Sequence, residues 1–390
     1  MYSDTYLPYI SGAVRSLERL AGGLRDMGHQ VSLFVPAYGR QQEEVIPYRA
    51  RQENGNVVYR VSSIPLYPPA NIVLSMPSKR RLVELTKELG VDIIHTHSPA
   101  TMGRAAAEVG RRLNIPVVFT HHSMYHQYSC FAPKPLKPLI ERVVLHWIRD
   151  YCRSVSAIIA PSVSVQKEIR RLYNLPSTVI SNSIPAVASE GLPWSERLAD
   201  PLLVYVGRLS LEKNLDLALN AFALVRKVTP ARLAFIGAGP MKKTLLAKAH
   251  TLKLDKCIIF TGPLSFGQVS EYLHRAALFL FPSFRETQGM VVLEALAHGV
   301  PSLTLCTPVN QEIADECEAC VMVKPVAEEM AAAIADLLLS PQKLEELSNI
   351  GRIYARKYLV ENIALETEKF YKSVLSAGKL TGEKQLWYNT

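Results

Sequence analysis

The feature that most constrains the fold is an alternation of short apolar runs with longer segments of helical periodicity. In the first half of the chain, continuously apolar runs predict buried strands at residues 31–36, 92–95, 117–121 and 157–161. Apolar residues at helical spacing predict helices at residues 13–27, 78–89, 101–113 and 162–173. Continuously apolar strands that alternate with helices are typical of a parallel sheet covered by helices on both faces.

The alternation is interrupted at residues 184–201, which are rich in Pro, Ala, Ser and Gly and predict an interdomain linker. It resumes with strands predicted at 202–206, 232–236, 258–261, 278–282 and 302–305 and helices at 214–228, 240–252, 289–298, 326–339 and 342–357. We therefore predict an α/β protein with two Rossmann-like, doubly wound domains, then a C-terminal helix and a frayed tail, over residues 1–183, 202–360, 361–375 and 376–390. Such sheets bind ligands at the carboxyl ends of their strands, so we expect a central cleft between the domains.

Charge and hydropathy narrow the choice of partners. The chain has 390 residues and a net charge of +9, which favours an anionic partner such as a nucleotide phosphate or an anionic membrane surface. The basic residues are dispersed without an aromatic stacking platform, so no nucleic-acid partner is expected. Because no apolar run could span a bilayer and no signal peptide opens the chain, we predict a cytoplasmic protein, soluble or peripheral on the inner face of the membrane.

The segment Ser283–Gly299 carries the most chemical information. It begins as a polar turn after a predicted strand and continues as a helix, with Glu286 in the turn and Glu294 in the first turns of the helix. Backbone N–H groups at a helix start favour a phosphate, and here they belong to Thr287, Gln288 and Gly289. A phosphate cradle beside two carboxylates that accept sugar hydroxyl hydrogens suits a sugar nucleotide. The alternative is an ordinary strand–turn–helix with solvent-exposed acids.

Two further loops of the second half fit a nucleotide. A predicted strand ends at Gly207, and Arg208 and Lys213 follow before the next helix. A planar guanidinium and a compact ammonium at the end of a strand suit a pyrophosphate. Gly237 and Gly239 follow another predicted strand and match part of a dinucleotide fingerprint whose third glycine is absent. We expect these two glycines to let backbone pass close to a ligand.

The first half offers a glycine and several histidines. Gly12 lies at a loop-to-helix junction, which is either a close approach to phosphate or an ordinary turn. His121 and His122 end one predicted strand, and the segment His95–Ser98 ends a neighbouring one. A histidine there can donate a hydrogen bond to a sugar hydroxyl or a developing alkoxide. Because no acid lies nearby and no Asp-x-Asp motif occurs, we predict no metal site.

Taken together, these segments resemble retaining glycosyltransferases of the two-Rossmann GT-B type, in the group that includes glycosyltransferase family 4. The resemblance covers nearly the whole chain. It implies that the second domain binds a nucleotide sugar, which is a substrate and not a cofactor, and that the first domain binds the acceptor. It also implies metal-independent transfer in which the leaving phosphate takes the acceptor proton and the anomeric configuration is retained.

The resemblance also implies roles for individual residues. His122 would touch the donor sugar, and Arg208 and Lys213 would hold the diphosphate. Glu286 would hold the hexose and, with neighbouring amides, the β-phosphate, and Glu294 would hold the ribose hydroxyls. The full set implied for donor binding is Gly12, Gly237, Gly239, Ser283, Thr287, Gln288, Gly289 and Glu294.

Three segments are similar to the subset that glycosylates diacylglycerol with UDP-glucose, namely residues 4–12, 120–128 and 285–289. The resemblance implies that Tyr125 and Tyr128 bind the acceptor beside a lipid. Residues 133–153 agree with a lipid acceptor, because an apolar face with basic residues elsewhere is typical of a membrane-surface helix. That face comprises Ile140, Val143, Val144, Trp147, Ile148 and Tyr151. The alternative is a helix packed on its own sheet.

The chain departs from the family at two places. Only Met1–Ser3 precede the segment that follows a first strand in the family, so we predict that most of this strand is missing, through truncation or a misassigned start codon. Residues 181–185 lack the Gly and Asp of the family's interdomain element, which removes the basis for the ligand contacts of that loop.

The preferred function is transfer of a hexose from a nucleotide sugar, with UDP-glucose expected, to a hydroxyl of a membrane lipid such as diacylglycerol. Polysaccharide and small-molecule acceptors stay open. So do a sugar-nucleotide epimerase on the same fold, a nucleotide-dependent oxidoreductase and a non-catalytic sugar-nucleotide sensor. The epimerase needs acid and base carboxylates that the sequence does not identify, and the incomplete glycine fingerprint weakens the oxidoreductase.

Overall fold

The structure, a computed structural model, describes residues 1–39, 50–67, 72–125, 135–187 and 191–381. It divides into two compact units. Unit 1 contains Met1–Ser183 together with the chain from Val360 onward, and unit 2 contains Ile184–Leu359. The chain therefore passes from one unit to the other twice, and its last helix belongs with the N-terminal unit.

Unit 1 contains a three-stranded, a two-stranded and a four-stranded sheet, with helices packed between them. Its strands are β1 (Ser32–Pro36), β2 (Ala50–Glu53), β3 (Asn56–Val61), β4 (Ser63–Tyr67), β5 (Ile72–Ser75), β6 (Ile94–Thr96), β7 (Val117–Thr120), β8 (Ala157–Ala160) and β9 (Thr178–Val179). Its helices are α1 (Gly12–Asp26), α2 (Lys79–Glu88), α3 (Thr101–Leu113), α4 (Lys137–Arg153), α5 (Val163–Tyr173) and α14 (Val360–Thr381). Strands β6, β7, β8 and β9 pair in that order and in parallel.

The N-terminal residues join the three-stranded sheet of unit 1 to its four-stranded sheet. Tyr2 forms parallel bridges to both Phe34 of β1 and Thr96 of β6. The backbone N–H of Tyr2 donates to the carbonyl of His95 at 2.8 Å, and that of Phe34 donates to the carbonyl of Met1 at 2.8 Å. The short segment that the sequence analysis described as a remnant of the first strand therefore lies between these two sheets.

An antiparallel region of unit 1 was not predicted. Strands β2 and β3 form a hairpin in which Glu53 lies opposite Asn56, and β4 and β5 form a second antiparallel pair. The first hairpin turns through Asn54 and Gly55, whose φ angles are +47° and +75°. An Asn-Gly pair with two positive φ angles is the preferred two-residue hairpin turn, so this dipeptide was a usable signal.

Unit 2 is a six-stranded sheet in which every described pair is parallel, with the order β12-β11-β10-β13-β14-β15. Its strands are β10 (Leu202–Val206), β11 (Arg232–Ile236), β12 (Ile258–Gly262), β13 (Ala276–Phe281), β14 (Ser302–Leu305) and β15 (Cys320–Val323). Its helices are α6 (Trp194–Ala199), α7 (Leu215–Val225), α8 (Lys242–Thr251), α9 (Phe266–Arg275), α10 (Met290–Ala297), α11 (Pro308–Glu316), α12 (Ala327–Leu338) and α13 (Pro341–Ala355). This arrangement confirms the predicted doubly wound α/β fold.

The segment predicted as a linker is partly folded onto unit 2. Helix α6 forms within it, and Arg197 of this helix is 2% exposed. The Arg197 guanidinium donates from Nε to the carbonyl of Leu192 at 2.8 Å and from Nη1 to the carbonyl of Ala276 at 3.1 Å. Trp194 and Leu198 of α6 also pack against the core of unit 2. The helix was not predicted because its six residues are too few to show a helical periodicity.

The C-terminal helix is longer than predicted. The sequence analysis expected a helix at 361–375 and a frayed tail from 376, whereas α14 continues to Thr381. It packs against α1 in unit 1, where Gly23 permits the approach. A Cβ at Gly23 would lie 2.7 Å from Val360 Cγ1 and 2.8 Å from Ala364 Cβ. Residues 382–390 lie outside the described part of the chain.

Candidate active site

Two neighbouring strand ends of unit 2 bring an ammonium and a carboxylate together. Lys213 follows β10 and Glu286 follows β13, and these strands pair in parallel. Lys213 Nζ lies 3.1 Å from Glu286 Oε2, and the two side chains are 17% and 22% exposed. The same Nζ lies 5.3 Å from the centre of the Phe281 ring, a favourable position for a cation. Glu286 and the Phe281 ring thus both hold the Lys213 ammonium, and the ion pair remains accessible to a ligand.

The loop that carries Glu286 is held by backbone hydrogen bonds. The N–H of Phe284 donates to the carbonyl of Glu212 at 3.1 Å, which ties the two strand-end loops together. Ser283 Oγ donates to the carbonyl of Arg285 at 3.0 Å. The N–H of Thr287 donates to Glu286 Oε1 at 3.0 Å. Both carboxylate oxygens of Glu286 therefore have a partner within the protein, and each retains a lone pair that can accept a sugar hydroxyl.

Helix α10 begins one residue later than predicted. Gly289 precedes it with a φ of +79°, a left-handed conformation that favours glycine. Gln288 is 5% exposed and Glu294 is 4% exposed. Glu294, the predicted ribose ligand, is therefore a buried carboxylate on α10, the first helix after β13. Of the three amides predicted to face a phosphate, that of Thr287 already donates to Glu286.

Arg208 differs from Lys213 in its surroundings. Its side chain is exposed, and among the described residues it has no ion-pair partner. Its backbone carbonyl accepts a hydrogen bond from Tyr205 Oη at 2.9 Å, which fixes the loop after β10. The structure therefore presents one cation paired with Glu286 and one exposed cation on the same strand-end loop.

Gly237 and Gly239, in the loop after β11, allow close packing against a neighbouring loop. A Cβ at Gly237 would lie 2.0 Å from the carbonyl oxygen of Gly207, and a Cβ at Gly239 would lie 2.2 Å from that of Leu209. The N–H of Leu209 also donates to the carbonyl of Ala238 at 2.9 Å. The close approach predicted for these glycines is thus made to the loop after β10. They support the loop of Arg208 and Lys213, and ligand contact by them stays a prediction.

In unit 1, His122 is the second residue after β7. Its ring is 8% exposed, and its Nε2 lies 2.9 Å from Nδ1 of His97. Burial, followed by the charge of His121, lowers the pKa of His122 to about 3. The imidazole is therefore neutral near pH 7, so it can act as one donor and one acceptor but not as an acid. The sequence analysis selected His122 and did not identify its contact with His97.

The other residues selected in unit 1 are more exposed. Gly12 is the first residue of α1, after the cap residue Ser11, whose Oγ accepts from the N–H of Val14 at 3.3 Å. Tyr125 is half-buried, with its ring centre 5.2 Å from that of His121. Tyr128 lies outside the described residues. The sequence analysis also missed Asp4, whose Oδ1 accepts from Thr101 Oγ1 at 2.7 Å and from the N–H of Met102 at 2.9 Å, and so caps α3.

Helix α4 has one packed and one exposed apolar face. Ile148 and Tyr151 are fully buried, and Tyr151 Oη lies 2.6 Å from Thr96 Oγ1. For these two residues the membrane-surface alternative is wrong and the alternative of a helix packed on its own sheet is confirmed, because this side of α4 packs into the core of unit 1. The exposed apolar side chains follow each other at three- and four-residue spacing, and are Leu136, Leu139, Val143 and Trp147. We call these four residues the α4 apolar stripe.

Two absences hold for the described part of the chain. Within it, no helix is long and apolar enough to cross a membrane. In the same residues, no group of three or more His, Cys, Asp and Glu side chains is placed to bind a metal ion.

Comparison with known proteins supplies independent information. A family model described as Glycosyltransferase Family 4 matches residues 10–186, and one described as Glycosyl transferases group 1 matches residues 193–354. The alpha-monoglucosyldiacylglycerol synthase of Acholeplasma laidlawii is 27% identical over 96% of this chain and 96% of that protein. The protein of the same name from Streptococcus pneumoniae is 26% identical over 95% of this chain and 84% of that protein.

Solved structures agree on the fold. Sucrose-phosphate synthase from Thermosynechococcus elongatus has a TM-score of 0.76 at 18% identity, covering 96% of this chain and 99% of that one. Anabaena HepE in complex with UDP and glucose has a TM-score of 0.75 at 17% identity, covering 95% and 99%. The two family models match consecutive parts of this chain, residues 10–186 and 193–354. The chain therefore belongs to the family 4 glycosyltransferases and has the GT-B fold.

Proposed function

We propose that this glycosyltransferase moves glucose from UDP-glucose to diacylglycerol, with retention of configuration, at the inner face of a membrane. The observation that carries the proposal is the Lys213–Glu286 pair at adjoining strand ends, 3.1 Å apart and partly exposed. The names of two relatives that align with nearly the whole chain support a diacylglycerol acceptor. A neighbour solved with UDP and glucose supports the donor.

The donor site belongs to unit 2. In this proposal Arg208 and Lys213 stabilise the diphosphate, and Glu294 accepts hydrogen bonds from the ribose hydroxyls. Glu286 keeps Lys213 in place through Oε2 and accepts a glucose hydroxyl with a remaining lone pair. Such an arrangement lowers the reaction barrier because it stabilises the negative charge that develops on the departing diphosphate.

The reaction needs no protein carboxylate as a base. The bond from glucose C1 to the β-phosphate oxygen breaks, and the acceptor hydroxyl oxygen forms a bond to C1 on the same face. The acceptor proton moves to the departing phosphate oxygen. In this scheme Glu286 acts as a hydrogen-bond acceptor, for Lys213, for the Thr287 amide and for a glucose hydroxyl.

The α4 apolar stripe is where we propose that unit 1 meets the membrane. Leu139 and Val143 are 60% and 59% exposed. The helix carries the cations Lys137, Arg142, Arg149 and Arg153 against the carboxylates Glu141 and Asp150. Apolar side chains flanked by an excess of cations bind anionic bilayer surfaces. The enzyme would then reach a lipid acceptor while that lipid remains in the bilayer.

The first prediction tests the reaction itself. Purified protein is incubated with UDP-glucose and anionic vesicles that contain diacylglycerol, and the lipids are analysed by mass spectrometry. We expect a hexosyl-diacylglycerol that is absent when either substrate is omitted. No hexosylated lipid, together with transfer to a soluble sugar acceptor, would contradict the lipid acceptor and retain the donor. Failure to bind UDP-glucose would contradict the donor.

The second prediction concerns Glu286. We expect Glu286→Ala to lower kcat by about 100-fold or more, because Lys213 loses the carboxylate that holds it and the glucose loses an acceptor. The protein should stay folded, since a partly exposed ion pair contributes only about 0–1 kcal/mol to stability. A matched control is Asp216→Ala, which removes another partly exposed ion pair of unit 2, that with Lys248 at 3.0 Å. Equal activities of the two variants would remove Glu286 from the site.

The third prediction concerns the α4 apolar stripe. The double substitution Leu139→Asp and Val143→Asp should weaken sedimentation with anionic vesicles by about 10-fold or more, since each apolar side chain gains about 1.5–3 kcal/mol on full burial. Leu339→Asp is the control, because Leu339 is 79% exposed on unit 2. Vesicle binding of the double variant at the wild-type level would show that the membrane meets another surface.

A further inference from the structure

The buried histidines of unit 1 form an ordered cluster around His122, which is predicted to touch the donor sugar of the proposed reaction. The rings of His97 and His122 are nearly parallel, with an interplanar angle of 16° and centres 5.2 Å apart. His97 is 3% exposed, and its Nδ1 lies 2.9 Å from His122 Nε2. We propose that His97 is a positioning residue, which holds the His122 ring in one orientation and one tautomer for contact with the donor sugar. The inference rests on the proposed function in one respect, the contact of His122 with the donor.

The proton inventory of the pair supports this role. Burial, and then the charges of His95 and His122, lowers the pKa of His97 well below its usual value, and His122 is also neutral near pH 7. A neutral imidazole has one protonated and one unprotonated nitrogen. A hydrogen bond between two neutral rings contains one proton, which belongs either to His97 Nδ1 or to His122 Nε2. The position of this proton determines whether Nδ1 of His122 is protonated, so the tautomer of His97 sets the tautomer of His122.

The neighbouring His95 does not compete for His97. Its Nδ1 lies 2.5 Å from Tyr371 Oη, and its Nε2 lies 2.7 Å from Thr120 Oγ1. Both ring nitrogens of His95 are thus used by hydroxyl groups. The ring of His95 packs against that of His97 with centres 4.3 Å apart, and so limits the rotation of His97.

The second nitrogen of His97 faces a small cavity that is lined by both polar and apolar side chains. His97 Nε2 and Ser183 Oγ are buried, and neither has a hydrogen-bond partner among the described residues. Both residues line a cavity of about 20 Å³, together with Ser16, Asn182 and Thr367. This volume accommodates one water molecule, and a water bonded to Ser183 Oγ would complete the hydrogen bonding of His97. A water in this cavity satisfies Nε2 of His97, so that Nδ1 is left to bond His122.

Two amide substitutions separate positioning from space-filling. Asn places a polar atom where His97 has Nδ1, whereas Gln places it where His97 has Nε2 and withdraws it from His122. We expect His97→Gln to lower kcat/KM for UDP-glucose by about 10-fold to 100-fold with the acceptor KM unchanged. His97→Asn should retain most of the activity. His95→Asn is the control for a destabilised histidine cluster, and thermal unfolding is recorded for every variant.

A spectroscopic readout tests the tautomer without any substrate. In ¹⁵N-histidine-labelled protein, long-range ¹H–¹⁵N spectra give the protonated nitrogen of His122, with the resonance assigned from its loss in His122→Asn. We expect one tautomer in the wild type and in His95→Asn, and two in His97→Gln. Two tautomers in the wild type would overturn the proposal whether or not any variant folds, and so would equal activities of His97→Gln and His97→Asn. Because these spectra need no donor, they judge His97 even if UDP-glucose proves to be the wrong substrate.

Discussion

The parallel pairing of β10 with β13 is the constraint on which the site in unit 2 depends. Parallel strands end at the same edge of a sheet, so the loops that follow them are neighbours although 73 residues separate Lys213 from Glu286. The glycines after β11 let that loop pack against the loop after β10, and the amide of Phe284 ties the loop after β13 to it. The cation and carboxylate are therefore held before any ligand arrives, and this preorganisation is what electrostatic catalysis requires.

The histidine cluster of unit 1 is buried and neutral, whereas the predicted site residues of unit 2 include a partly exposed ion pair. Three histidines lie at the ends of β6 and β7, and desolvation lowers the pKa of each of them, His95, His97 and His122. Neutral imidazoles give directional hydrogen bonds without electrostatic repulsion between the rings. The C-terminal helix α14 contributes to the same region, since Tyr371 bonds His95 and Thr367 lines the adjacent cavity. The last helix of the chain thus completes the core of the first unit.

The sequence predicted the parts of the fold whose periodicity is strong. The central strands 202–206 and 232–236 were located to the residue, because strands buried on both faces are continuously apolar. The hairpins between residues 50 and 75 were not predicted. Strand β2 has no buried residue, since exposed and half-buried residues alternate along it, and only Asn54-Gly55 indicated a turn. The site residues were selected by resemblance, but the contact between His97 and His122 depends on the register of β6 with β7, which periodicity does not reveal. Likewise, one face of α4 was assigned wrongly, because helical spacing does not distinguish a packed apolar face from an exposed one.

We propose that the departing phosphate, and not a carboxylate, takes the acceptor proton, so that the new bond forms on the face that the diphosphate leaves. Base catalysis from the opposite face would need a free carboxylate there and would invert the anomeric centre. The most direct test is the anomeric configuration of the glucosyl lipid made from UDP-α-glucose, read from the coupling of its anomeric proton by NMR. We predict the α-glucoside. A β-glucoside would contradict proton transfer to the departing phosphate and would require a different role for Glu286.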